Sequence, residues 1–321
     1  MNSSRARAWV LFVALAMGSA AADLEPTFVR IGALTPAAGV SPEEGLREGL
    51  RTLHYIDGKN LTIERRRGDS YEALRSGARD LTELKVDVIV AFGTPAAQAA
   101  LSVTSTVPVV FISSDPVGMG LATSLARPGA NATGVATLSI ELMPKRLELL
   151  RQVVPRVRRV ILLGNPSGSL HPQVIKHAQT GAHALQMQLV TLDARNADEL
   201  EAVLRTIQRT TGDAFIVSPD VLFLSNKSRI AQVIAKAKLP ALFPWPDYPE
   251  PGVLMAYGAS TREMGLRVAG YVDRILKGAK PADLPVEQIS KYVLVVNLRA
   301  ASDLGIKIPK DVLLRADEVI R

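Results

Sequence analysis

The chain alternates short apolar segments with longer amphipathic ones, and this alternation restricts the possible folds more than any other feature. The segments Asp87 to Phe92 and Val107 to Ile112 are apolar at almost every position. Strands of this kind are typically buried on both faces of a parallel sheet. Between such segments, apolar residues such as Leu46, Leu50 and Leu53 recur at helical spacing. Strands that alternate with helices predict an α/β fold with parallel sheets.

A second series of strands and helices begins after Thr137 and repeats the order of the first. One sheet containing all these strands would be unusually wide, and 321 residues suffice for two domains. The segment around Leu138 and Ser139 lacks the composition of a flexible linker. We therefore predict two doubly wound parallel-sheet lobes with a short, ordered hinge and a central ligand cleft.

Residues 1–22 have the order of a secretory signal peptide. Arg5 and Arg7 precede an apolar run from Trp9 to Met17, and three alanines end the segment at Ala22. The run is shorter than the roughly 20 residues that span a bilayer. We therefore predict cleavage before Asp23. A buried first strand or an uncleaved membrane anchor is the alternative interpretation.

The amino-acid composition limits the cellular compartments and the classes of binding partner that are compatible with this protein. The chain contains no cysteine, which excludes disulfides, thiolate metal sites and the acylated cysteine of a bacterial lipoprotein. Its net charge of +7 is spread along the sequence. The densest basic cluster, Arg65 to Arg67, has no interleaved aromatic residues, so we expect a solvated strand end and no nucleic-acid partner. With the signal peptide, these features predict a soluble periplasmic protein.

Polar and aromatic residues follow several of the predicted strands. Ligands of open parallel sheets bind beyond the carboxyl ends of the strands, so these residues are the candidates for ligand contact. Hydroxyl groups, carboxylates and aromatic rings suit a small polar or zwitterionic solute, and an aromatic amino acid, a branched one, a small carboxylate and a nucleoside all remain open. The predicted ligand-binding residues are Thr35, Thr94, Ser114, Asp115, Asn165, Asp220, Trp245, Tyr248 and Tyr257. Ser113 and Ser218 occupy similar positions at strand ends.

Thr94 and one of the two aspartates, Asp115 or Asp220, could hold the opposite charges of a zwitterionic solute. Thr94 begins a helix whose free N–H groups and dipole favour a carboxylate. Asp115 or Asp220 could hold an amino group. Each also has a purely local interpretation: Thr94 as a helix cap, Asp115 as a turn residue before Pro116, and Asp220 as an Asx turn after a proline.

The aromatic candidates are more ambiguous. Trp245 and Tyr248 lie in the proline-rich segment Pro244 to Pro251, which could form a rigid edge of the cleft or be buried. Tyr257 ends a strand that we assign to the segment returning to the first lobe. For Tyr257, a role in the hinge and a contact with ligand are both open.

Motifs of the common enzyme classes are incomplete in this sequence. The segment 118–120 lacks the third glycine of a dinucleotide fingerprint, and the segment 164–168 places its serine wrongly for a nucleophile elbow. His171, His177 and His183 are six residues apart, so they do not stack on one helix face as metal ligands would. We therefore predict surface histidines, no metal, no cofactor, no catalytic residue, and a binding protein rather than an enzyme.

Long stretches of the chain resemble the ABC transporter substrate-binding family with a type I periplasmic-binding-protein fold, whose members include binders of tryptophan and related amino acids. The resemblance spans almost the whole chain after the signal peptide. Ala130 and His54 depart from the family pattern at positions where glycine is usual. The stretches that carry the resemblance are 45–64 (GLREGLRTLHYIDGKNLTIE), 85–97 (KVDVIVAFGTPAA), 108–134 (PVVFISSDPVGMGLATSLARPGANATG), 276–284 (LKGAKPADL) and 308–320.

The resemblance implies that the lobes exchange chain segments three times. The first lobe would comprise residues 23–138 plus 254–288, and the second residues 139–253 plus 289–321. It implies that a monomer holds a small-molecule solute by hinge closure and delivers it to the membrane permease of an ABC transporter with a separate ATPase. A periplasmic sensing module for a signalling receptor is the alternative, and a hydrolase built on the same fold is a more remote one.

Overall fold

A computed structural model describes residues 28–36, 42–208, 211–247 and 250–321. The predicted signal peptide and the predicted ligand contact Tyr248 therefore lie outside the described residues. No helix in the described ranges is long and apolar enough to cross a membrane.

The first lobe is built on a six-stranded parallel sheet, and four helices cover its two faces. Its strands are β1 (Val29–Pro36), β2 (Leu61–Gly68), β3 (Val88–Phe92), β4 (Val109–Ser113), β5 (Ala132–Ala136) and β11 (Glu287–Gln288). Their order in the sheet is β11-β5-β4-β3-β1-β2. Its helices are α1 (Glu43–Thr52), α2 (Tyr71–Glu83), α3 (Thr94–Leu101) and α9 (Thr261–Leu276).

Strand β3 shows why the apolar segments lack polar positions. Its side chains point alternately to opposite faces of the sheet. Val88, Val90 and Phe92 pack in the core cluster under α1 and α9. Ile89 and Ala91 pack in the cluster under α2 and α3. Because helices cover both faces, no position of the strand is left to water.

The second lobe is built on a seven-stranded sheet. Its strands are β6 (Arg159–Gly164), β7 (Gln188–Asp193), β8 (Ala214–Val217), β9 (Ala241–Phe243), β10 (Met255–Gly258), β12 (Val293–Asn297) and β13 (Glu318–Ile320). Their order in the sheet is β13-β12-β10-β9-β8-β6-β7. Its helices are α4 (Met143–Val153), α5 (His171–Ala184), α6 (Ala197–Thr206), α7 (Val221–Ser225), α8 (Lys227–Ala237), α10 (Leu298–Asp303) and α11 (Lys310–Arg315). All its strand pairs are parallel except β10 with β12. The predicted fold class is confirmed: two α/β lobes, each built around a predominantly parallel sheet.

The chain passes between the two sheets three times: after β5, after β10 and after β11. We call the connecting segments, residues 137–142, 259–260 and 289–292, the first, second and third crossovers. The sequence placed residues 254–258 in the first lobe, and this assignment is wrong. Strand β10 pairs with β9 and β12 of the second sheet, so the second crossover follows Gly258. An apolar strand does not specify its partner, because any apolar sheet position would satisfy its side chains.

Candidate functional site

A cavity of about 910 Å³ lies between the two lobes. It is lined by residues at the carboxyl ends of β3, β4, β6 and β8, where parallel strands of both sheets stop and loops begin. The first residues of α2, α3, α5, α6 and α7 also line it. Helix N-termini present unpaired N–H groups and the positive ends of helix dipoles. The cavity therefore combines the usual ligand position of parallel sheets with a field that favours an anionic group.

Two pairs of hydroxyl groups lie in the wall contributed by the first lobe. Thr94 Oγ1 and Ser113 Oγ lie 2.8 Å apart and are buried. Ser114 Oγ and Thr137 Oγ1 lie 3.1 Å apart. Each pair contains two O–H protons but uses one of them in its mutual hydrogen bond. The second proton of each pair has no acceptor among the described residues, so it can be donated to a group in the cavity.

Asp220 is a half-buried carboxylate in the wall contributed by the second lobe. Its Oδ1 accepts hydrogen bonds from Asn165 Nδ2 at 3.1 Å and from the backbone N–H of Leu222 at 2.9 Å. Burial raises the pKa of Asp220 above its usual value, and the two hydrogen bonds and the nearby His171 only partly offset that rise. A cationic partner in the cavity would stabilise the charged form that burial disfavours.

The loop between β6 and α5 brings the backbone close to this carboxylate. A Cβ atom at Gly168 would lie 2.9 Å from Asp220 Oδ2, so glycine permits the close approach. His171, which begins α5, also lines the cavity. Its Nδ1 is buried and has no hydrogen-bond partner in the described part of the chain. His171 is half-buried at the cleft, a position that the spacing of the histidines does not indicate.

Apolar side chains from both lobes also line the cavity. Tyr71 and Leu74 come from α2 of the first lobe, and Leu170, Val174 and Leu222 come from the second. Tyr71 is 44% exposed although it is aromatic. An aromatic or aliphatic part of a ligand would find apolar contacts here.

The structure brings four of the predicted ligand contacts together in the cavity wall. Thr94 and Ser114 come from the first lobe, and Asn165 and Asp220 from the second. Thr137, Tyr71 and His171 line the cavity too, but sequence reasoning missed them. Thr137 directly follows β5, so recognising Ala132–Ala136 as a strand would have found it by the same rule that found Ser114.

Four other predicted contacts do not line the cavity, although they are described. Thr35 is buried near the end of β1. Asp115 accepts a hydrogen bond from the backbone N–H of Gly118 at 2.8 Å, which is the turn role left open for it. Trp245 is 8% exposed and packs edge-on against Phe243, with ring centroids 6.1 Å apart, in the core of the second lobe.

Tyr257 is the fourth, and it lies at the crossovers instead of in the cavity. Its ring contacts that of Tyr292, with centroids 6.1 Å apart. Its carbonyl oxygen accepts a hydrogen bond from Arg146. Of the two roles open for Tyr257, the geometry favours the one at the hinge.

The sequence model of the family described as ABC transporter substrate binding protein matches residues 37–320. The chain therefore belongs to this family of solute-binding proteins. A tyrosine-binding protein of Clostridioides difficile (strain R20291) is 24% identical over 258 residues, which are 79% of this chain and 74% of that protein.

Two solved structures are also similar to the chain. One, described as a conserved domain protein from Vibrio cholerae O1 biovar El Tor, is 28% identical with a TM-score of 0.84, over 91% of this chain and 100% of that one. The other is an ABC domain from Streptococcus pneumoniae in complex with L-Trp. It is 25% identical with a TM-score of 0.83, over 92% of this chain and 100% of that one.

Proposed function

We propose that the protein binds a free α-amino acid in the cleft and serves as the periplasmic solute-binding component of an ABC importer. The observation that carries the proposal is the pairing, across one cavity, of hydroxyl donors on the first lobe with a half-buried carboxylate on the second. The first lobe presents these hydroxyl donors and the N-terminus of α3, whereas the second presents Asp220.

The first lobe suits the carboxylate of such a solute. The Thr94–Ser113 and Ser114–Thr137 pairs can each donate one proton, which matches the two oxygens of a carboxylate. Charge-assisted hydrogen bonds of this kind are about twice as strong as neutral ones. The nearby start of α3 adds the favourable end of a helix dipole.

The second lobe suits the ammonium group. Asp220 accepts two hydrogen bonds on Oδ1, and an ammonium that pairs with it would offset the desolvation that burial imposes on the carboxylate. An aromatic solute side chain would then contact the apolar lining residues, such as Tyr71 and Leu74. The L-Trp complex and the tyrosine-binding relative support an aromatic amino acid as the solute.

In this mechanism no bond is made or broken. The solute binds one wall first, and closure about the crossovers brings up the second wall, so that both charges are held at once. The closed monomer then docks on a membrane permease driven by a separate ATPase. Osmotic-shock fractionation of expressing cells tests the periplasmic location, and recovery of the protein with the cytoplasm would contradict it.

Calorimetry on residues 23–321 tests the proposed ligand. The probes are L-tyrosine, L-tryptophan, tyramine, which lacks the carboxylate, and 3-(4-hydroxyphenyl)propionate, which lacks the ammonium. We expect one of the two amino acids to bind and both truncated analogues to lose about 100-fold or more in affinity, since each leaves one wall unpaired. Binding of an analogue as tight as that of the amino acid would contradict the two-wall model.

Asp220→Asn gives the matching test on the protein side. The variant keeps the shape and can still accept from Leu222 but loses the negative charge, so affinity for the amino acid should fall about 100-fold. Asp115→Asn is the control, because Asp115 is a carboxylate of the first lobe that does not line the cavity. Equal effects of the two substitutions would remove Asp220 from the site.

A further inference from the structure

Arg146 of α4 is a completely buried arginine outside the cavity wall. Its Nε donates to the carbonyl oxygen of Tyr257 at 2.9 Å. One terminal nitrogen donates to the carbonyl oxygen of Ser139 at 2.7 Å and the other to Ser139 Oγ at 3.0 Å. The first terminal nitrogen also lies 3.5 Å from the sulfur of Met143. The guanidinium thus fixes two distant segments with its rigid fork of donors.

The side chain keeps its charge in this position. Burial lowers the pKa of Arg146 to about 9, which still leaves it a cation at neutral pH. Buried cations are expensive and usually paired with a carboxylate. The acceptors of Arg146 are carbonyl, hydroxyl and sulfur atoms instead. An apolar residue would fill the same space without the cost of desolvating a charge. We therefore expect a role of Arg146 in the segments that its hydrogen bonds connect.

The segments that Arg146 joins are the crossovers. Ser139 belongs to the first crossover, and Tyr257 lies in β10 just before the second. The ring of Tyr257 contacts that of Tyr292 in the third crossover, with centroids 6.1 Å apart. The hydroxyl of Tyr292 donates to Ile289 in the same crossover at 2.8 Å. Arg146 and the two tyrosines therefore form a cluster at which all three crossovers meet, and we call it the hinge cluster.

The first crossover also contains an unfavourable backbone conformation. Leu138 has a φ of 47°, in the left-handed region where a side chain with a Cβ crowds the following carbonyl. Thr137, which precedes it, holds Ser114 in the cavity wall at 3.1 Å. Ser139, which follows it, is held by Arg146. Surrounding contacts must maintain a conformation of this kind, and such residues cluster at switch regions.

We propose that Arg146 is a positioning residue for solute binding: by holding Ser139 and Tyr257, it keeps Leu138 in its left-handed conformation and so presents Thr137 to the solute. The inference rests on the proposed function, since it assigns Thr137 to the wall that receives the carboxylate. Arg146 sets the arrangement of the first crossover relative to β10 without touching the solute. The relative position of the lobes therefore depends on a side chain outside the cleft.

Spin-label distances between the lobes test this directly, because the chain has no cysteine of its own. Ser76 on α2 and Ala202 on α6 are exposed, and these helices begin at the cavity on opposite lobes. A Ser76→Cys and Ala202→Cys protein carries the two labels. Arg146→Met should broaden or lengthen the distance distribution of the solute-free protein and reduce affinity for the amino acid about 10-fold.

Arg151→Met is the matched control. Arg151 lies on the same helix, and its guanidinium donates to the backbone carbonyl of Val157 at 2.5 Å, away from the crossovers. This variant should keep the wild-type distances and affinity. Arg146→Lys keeps the charge but cannot hold Ser139 and Tyr257 with one fork, so it should lie between wild type and Arg146→Met. It also serves if Arg146→Met does not fold.

A second substitution separates positioning from simple stabilisation. Glycine adopts a positive φ without cost, so Leu138→Gly added to the Arg146 variant should restore part of the lost affinity. A variant that melts at a lower temperature but keeps the distance distribution and the affinity would overturn the proposal. If the wild-type protein binds neither L-tyrosine nor L-tryptophan, the proposed function is refuted. The hinge role of Arg146 is tested independently of ligand: it is refuted if the distances between the lobes are unchanged in the Arg146 variants.

Discussion

The close contact between α1 and α9 leads to opposite predictions for two glycines in the same helix. A Cβ atom at Gly265 would lie 2.1 Å from the carbonyl oxygen of Pro42 and 2.5 Å from the backbone nitrogen of Leu46. A Cβ atom at Gly45 would likewise lie 2.1 Å from the carbonyl oxygen of Arg262. The two helices therefore pack backbone to backbone. This contact attaches α9, which follows the second crossover, to the first lobe.

Gly265→Ala should destabilise the protein. Ordinary contact begins at 3.4 Å, so the helices must separate by about 1 Å, and overpacking of this kind costs roughly 1–3 kcal/mol. Separation also loosens the packing of the buried side chains Leu46 and Val268. Alanine recovers about 0.8–1 kcal/mol of helix propensity. We expect a net loss of about 1–2 kcal/mol in the free energy of unfolding.

Gly270→Ala should stabilise the protein. No atom lies within 4 Å of a Cβ built at Gly270, five residues along the same helix. The substitution therefore keeps only the gain in helix propensity and the loss of unfolded-state entropy, about 0.5–1 kcal/mol. Urea denaturation of residues 23–321, followed by circular dichroism, measures both free energies. Changes of the same sign at the two glycines would refute the backbone-contact argument.

Three further outcomes follow from the site and its surroundings. Trp245→Ala should cost about 3–5 kcal/mol of unfolding free energy, because the ring is buried in the core, yet leave amino-acid affinity unchanged in calorimetry; a specific loss of affinity would return Trp245 to the cleft. The raised pKa of Asp220 means that its contribution to the stability of the solute-free protein is present at low pH and is lost as pH rises through that pKa. Asp220→Asn should therefore raise the solute-free melting temperature at neutral pH more than at pH 4, and a uniform shift would contradict this. Asp247 accepts hydrogen bonds from the backbone and the hydroxyl of Thr261 at the start of α9, so Asp247→Ala should lower the unfolding free energy by about 1–2 kcal/mol, which urea denaturation would measure.

Part of the site was predictable because it depends on local order along the chain. Thr94, Ser114, Asn165 and Asp220 follow strands that are apolar on both faces, and such strands end at the same edge of a parallel sheet. The rule needs only the position of each strand end. It missed Thr137 because the small residues of β5 do not stand out as a strand.

Trp245 and Tyr257 show where local order stops being informative. An aromatic residue in a proline-rich loop can point into a cleft or into a core, and the packing against Phe243 decides this. The strand that contains Tyr257 is apolar enough for either sheet. Its pairing with β12, far along the chain, places it in the second one.

The sequence by itself determined the two α/β lobes, because the apolar periodicity of strands and helices is a local property that burial on both faces requires. The sequence also determined which polar residues follow the strands, and four of these residues line the cavity. Only the tertiary structure decided that Arg146 is buried at the hinge cluster, that Leu138 is left-handed and that hydroxyl groups of the first lobe and Asp220 of the second line one cavity. These features depend on contacts between residues distant in sequence, such as Arg146 with Tyr257, which periodicity and spacing do not encode.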